Sequence, residues 1–134
     1  MMKMASFEIH MKKHELFRRD ASNEQNSPPT RVEALFEASF HLIEACAARK
    51  GVHINKHQLV RSTLLKHESI LGEHTEQVWR AFNELENQIR PGQAYGGKID
   101  GEALERAQQL VERVEKACDK VLRSSPDQPS RNPI

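Results

Sequence analysis

From Thr30 to His57 the chain reads TRVEALFEASFHLIEACAARKGVHINKH, and this stretch constrains the fold more than any other. Val32, Leu35, Phe36, Ser39, Leu42, Ile43, Cys46 and Ala47 recur at three- and four-residue intervals, the period of one buried helix face. Thr30 and Glu33 have the spacing of a capping box, in which each side chain satisfies an orphan amide at the helix start. Gly51 is a natural stop, and Arg49 and Lys50 suit the negative end of the helix dipole. A chain built around such a helix must supply other helices to cover it.

The remaining segments supply them. Ser6–Arg19 places Phe7, Met11, His14 and Phe17 on one side of an N-terminal helix, and residues 1–20 are expected to join the bundle. Residues 21–29, polar and rich in turn formers, read as a flexible loop. Asn55 and Gln58 carry a second capping signature before Leu59, Val60, Thr63, Leu64 and Ile70, with a break at Gly72. Val78, Phe82, Leu85 and Ile89 form a fourth stripe that Pro91-Gly92 ends. A last helix beginning near Asp100 repeats Leu104, Ala107, Val111, Val114, Cys118 and Val121 as a coiled-coil-like seam. Residues 30–123 therefore form the bundle core, and 124–134 have the composition of a disordered tail. With no strand-like alternation, the expected fold is all-α, an up-and-down antiparallel bundle of four to five helices.

Composition narrows the setting. The 134 residues suffice for one domain, and the 37% of apolar residues implies a modest core or surface buried against a partner. A formal charge of +1 argues for neither nucleic acid nor membrane as a bulk effect. Its distribution is uneven: five Lys/Arg and four histidines lie between His41 and His67, against Glu44 alone. From Glu68 to Arg90 the balance reverses, with five glutamates facing Arg80 and Arg90. Two cysteines in apolar helical patterns fit packing thiols in a reducing compartment. With no signal peptide and no apolar run of membrane length, a cytoplasmic protein is expected.

Two constellations offer chemistry. His53, Lys56, His57 and Arg61 combine imidazole with cations, the groups needed to bind a phosphate or carboxylate near neutral pH. Ile89–Gly97 joins Arg90 at a helix end to a proline-glycine turn and to Tyr95, which suit a planar anion and a stacked base. The competing reading makes the first an ordinary solvated helix start, and makes Arg90 a cap and Tyr95 a packing residue. Trp79 reads as a core or interface anchor. No metal site or cofactor is expected. No glutamate has a histidine three residues later, His67-Glu68 does not continue as a zinc-protease motif, and the cysteines are too far apart for a zinc finger.

A first helix with His10 and His14, a loop, SFHLIEACAARKGVHINKH, a further helix and an Arg-to-Ala-Tyr turn together resemble the HEPN superfamily, over roughly residues 7–122. The resemblance implies a four- or five-helix bundle, a homodimer, and pairing with a nucleotidyltransferase-type protein in toxin–antitoxin or defence systems. Many such proteins are metal-independent ribonucleases whose arginine and histidine have four to six residues between them. Arg90 falls where that arginine belongs, but the histidine's place is taken by Tyr95, Gly96 and Gly97. Arg61 to His67 also satisfies the loose spacing, within one helix and away from the expected helix end, and Arg49 to His53, across the Gly51 turn, falls one residue short of it.

The resulting expectation is a non-catalytic HEPN-like module that binds a protein, nucleotide or RNA partner. His53, Lys56, His57 and Arg61 would form one ligand surface, with Arg90 and Tyr95 at a second edge. The alternatives are a ribonuclease using Arg90 with a displaced histidine such as His57, and a purely structural dimerisation module.

Overall fold

The computed structural model describes residues 2–91 and 101–124 and is an all-α helical bundle. The helices are α1 (Met2–Ser22), α2 (Pro28–Arg49), α3 (Val60–Lys66), α4 (Thr75–Glu84) and α5 (Gly101–Arg123). Single 3₁₀ turns at His57–Leu59 and Gly72–His74 lead into α3 and α4, and a π turn at Leu85–Ile89 prolongs α4. Among the described residues no helix is long and apolar enough to cross a membrane. Tyr95, Gly96, Gly97 and residues 125–134 lie outside the described residues.

α2 is the central element. Its stripe is wider than the periodicity implies: every residue from Leu42 to Ala48 is buried, Glu44 included. A helix apolar nearly all round must be covered on several sides. The helix starts earlier than expected. Ser27 is its N-cap and accepts a hydrogen bond from the Thr30 backbone amide, and Pro28 and Pro29 occupy the first turn, where a missing N–H costs nothing. Thr30 thus lies inside the helix. The stop falls where expected, with Gly51 at φ 77° just beyond Lys50.

α1 runs antiparallel to α2, as paired contacts of 10 with 41, 14 with 38 and 21 with 31 show. It extends to Ser22, so the connection is shorter than the 21–29 loop expected. That turn is ordered by its own polar groups. Asn23 Oδ1 accepts from Gln25 N, Asn26 Nδ2 donates to the Asp20 carbonyl, and Arg31 Nε donates 2.7 Å to the Ala21 carbonyl. α5 lies parallel to α2, with Arg49 donating to the Leu122 carbonyl and Cys46 meeting Cys118. The two free thiols are buried; the hydrogen bond from Cys118 to Cys46, then burial, push the Cys118 pKa well up, as suits packing groups.

Asn55 does not cap α3. The chain enters through the 3₁₀ turn with Lys56 at the cap position and no side-chain cap bond. α3 ends at Lys66, and Ile70 and Leu71 reach the core from the bend before Gly72, whose φ of 56° favours glycine. α4 buries Val78, Ala81 and Phe82, the last stacked on Phe36 at 5.3 Å between ring centres. α5 buries Leu104, Ala107, Val111, Val114 and Cys118 as its seam requires, with Leu110 and Ala117 besides.

Two consequences follow from this packing. Phe82→Ala removes a fully buried ring from the α2–α4 contact and should lower unfolding stability by about 3–5 kcal/mol in urea titration. Across α4 and α5, Arg106 grips Glu84 through two hydrogen bonds of 2.8 and 2.9 Å, which hold its carboxyl below the usual range. A carboxylate depressed in the folded state stabilises above its unfolded pKa, about 4.3, and that contribution disappears as pH falls through the folded-state value. Arg106→Ala should therefore cost roughly 0.5–1 kcal/mol at neutral pH, and the gap from wild type should close in acid.

Candidate functional site

The basic residues singled out in the sequence do not share one face. His57 begins the 3₁₀ turn and points inward, its Nδ1 2.5 Å from Glu86 Oε2 on the π turn. Its ring meets Phe36 edge to face at 5.2 Å and Phe40 at 6.1 Å. Arg61 lies over the Trp79 ring at 5.5 Å, while His53 and Lys56 are exposed. Trp79 itself is half-buried against the core, as its reading as an anchor requires.

Arg90 comes to the same aromatic group as His57. Its guanidinium stacks over Phe36 at 4.5 Å and its Nε donates 2.9 Å to Glu33 Oε1. Phe36 thus links Arg90 and His57, residues 33 positions apart in the chain. Each has a carboxylate of its own, Glu33 for the arginine and Glu86 for the histidine. The π turn helps make this possible. Glu86 lies in the turn and Arg90 follows it directly, so one short segment supplies both. Tyr95, the remaining expected member of this edge, lies outside the described residues.

A separate open groove of about 440 Å³ runs along α3 and its approach. His53, Leu59, Ser62, Thr63, Lys66 and His67 line it, and no carboxylate does. Leu59 and Leu65 are 46% and 51% exposed, large apolar side chains left in water beside cations. Among the described residues, no acid forms an ion pair with Lys56, Arg61 or Lys66.

The densest cluster of titratable atoms lies elsewhere, between α1 and α2. His10 Nδ1, His41 Nδ1 and Glu44 Oε1 form a nearly equilateral triangle with sides of 3.1, 3.1 and 3.3 Å. Their side chains are 19%, 12% and 8% exposed. His41 is held by Phe17, stacked at 5.7 Å, and by Phe40, with Glu37 Oε1 at 3.8 Å from its other nitrogen. Burial pushes the His10 imidazole below its ordinary value. Glu44 opposes that effect, and His41, Lys13 and His53 add to it. Nitrogen and carboxylate donors converging this way are the atoms with which a protein holds a transition metal.

The trio is not legible in the sequence: α2 carries His41-x-x-Glu44, the reverse of Glu-x-x-His, and His10 joins them only when α1 folds back. One signal was present: Glu44 is the single acid in a stretch otherwise apolar or basic, on a helix with no exposed side there.

Arg90→Ala removes both the ion pair to Glu33 and the stacking on Phe36, and should cost about 1–2 kcal/mol in denaturant titration. Arg90→Lys should recover less than half of that, because an ammonium cannot stack and bridge at once. No protein-family model matches this chain, and neither a curated protein nor a solved structure is found similar to it.

Proposed function

We propose that this chain is a non-catalytic, HEPN-like helical module that docks an acidic protein partner through the groove along α3. The observation that carries the reading is the groove's lining: imidazoles, hydroxyls and Lys66 around an exposed leucine, with no carboxylate to repel an anion. Opposed charge steers such a partner and sets its orientation, while Leu59 and Val52 add apolar contact. A protein surface suits the groove better than RNA. Base stacking needs an aromatic platform, no Phe, Tyr or Trp lines the groove, and Trp79 lies beneath Arg61.

The rival reading, a metal-independent ribonuclease, draws on the meeting of Arg90 and His57 at Phe36. Against it stand Glu33 and Glu86, which occupy the very groups that would have to bind phosphate and move a proton. Both readings share the all-α bundle, and they part on chemistry alone.

The two are separated by one pair of assays on the full chain. An amphipathic Leu/Glu peptide should bind the wild type, weaken as salt rises, and lose about tenfold or more in affinity on Lys56→Glu/Lys66→Glu. Single-stranded RNA of mixed sequence, incubated in EDTA, should remain intact. Cleavage that Arg90→Ala abolishes would replace this reading with the ribonuclease, and a peptide indifferent to the charge reversals would remove the groove from consideration.

A further inference from the structure

We infer that His10, His41 and Glu44 form a binding site for a divalent transition metal of zinc's class, built into the α1–α2 interface. The site is independent of the groove along α3 and of whatever docks there.

The hydrogen-bond arithmetic of the trio is the first argument. Three polar atoms stand within 3.3 Å of one another, and each imidazole Nδ1 carries at most one proton. A proton can therefore lie on only two of the three sides. Whichever tautomers are chosen, one side sets two lone pairs or two N–H groups against each other. A cation over the centre of the triangle accepts all three lone pairs at once.

The size of the triangle is the second. A metal about 2.05 Å from each atom would meet pairs of them at angles of about 98° and about 107°, between octahedral and tetrahedral coordination. Such a metal would cap the triangle from one side.

Burial is the third. Among the described residues Glu44 and Ser39 are the buried polar ones, and the Ser39 hydroxyl donates to the Phe36 carbonyl. A carboxylate so enclosed needs a compensating charge. Among the described residues its ion-pair partners are the two histidines, with no Lys or Arg within ion-pair distance. A divalent ion supplies that charge.

The surroundings are those of a held ligand. Phe17 and Phe40 fix the His41 ring, and Glu37 faces its outer nitrogen, the kind of carboxylate that sets the orientation of a metal-binding imidazole. His41 and Glu44 stand one helical turn apart on α2, a rigid element, while His10 comes from the partner helix. Two imidazoles with one carboxylate favour zinc, iron, nickel or cobalt, and disfavour magnesium and calcium, which prefer oxygen donors throughout.

The test uses the full chain, stripped with chelator and titrated with Zn²⁺, Co²⁺ and Mg²⁺ by calorimetry. One equivalent of Zn²⁺ or Co²⁺ should bind and raise the melting temperature, with no response to Mg²⁺. His41→Gln and Glu44→Gln should each weaken binding by more than tenfold, whereas His67→Gln/His74→Gln should leave it unchanged. Because the first two variants touch the core, the wild type is also followed by nitrogen NMR of its imidazoles. Zn²⁺ should shift the Nδ1 resonances of His10 and His41 and leave those of His67 and His74 in place. Absence of binding, or binding that leaves those two resonances unmoved, would overturn the assignment.

Discussion

A helix with almost no side to spare for water governs this molecule. From Leu42 to Ala48 α2 buries every residue, so neighbours must enclose it: α1 folds back along it, α5 lies parallel to it, and α4 meets it through Phe36 and Phe82. Any polar group on α2 then becomes an obligation to be met from within the protein. Ser39 discharges it locally, on the carbonyl of Phe36. Glu44 has to find its partners on α1 and one turn back on α2, and that requirement places His10 and His41 where they are.

Helix identity was legible in the sequence because periodicity is a property of one segment. The stripe of α2, the seam of α5 and the stop at Gly51 could be read directly. The ends were less so. Ser27 took the cap from Thr30 because two prolines accept the first turn, and Asn55 lost its cap because the chain enters α3 through a 3₁₀ turn. The π turn gave no sign, since Leu85 and Ile89 keep a four-residue spacing that an ordinary helix also allows.

Sites were harder than helices for a single reason: each depends on which segments meet. His53, Lys56, His57 and Arg61 are neighbours in the chain, yet His57 turns inward to Glu86, Arg61 covers Trp79, and the other two face solvent. Arg90 and His57 are distant in the chain and share Phe36. The trio of His10, His41 and Glu44 needs a hairpin before it exists at all. Phe40, which touches both His41 and His57, stands between the trio and the group around Phe36, so the two lie on one continuous aromatic wall of α2.

The π turn at Leu85–Ile89 bears on kinship. A turn of this kind takes up one extra residue locally while the helix on either side keeps its facing. A chain one residue shorter there could close the turn into ordinary α-helix and still bring an arginine to Phe36. Distances counted along the chain between this arginine and any other residue of the site are therefore not fixed by the architecture. Ancestry in such proteins has to be traced with a gap allowed at this point, by the partners a side chain keeps and not by the number of residues between them.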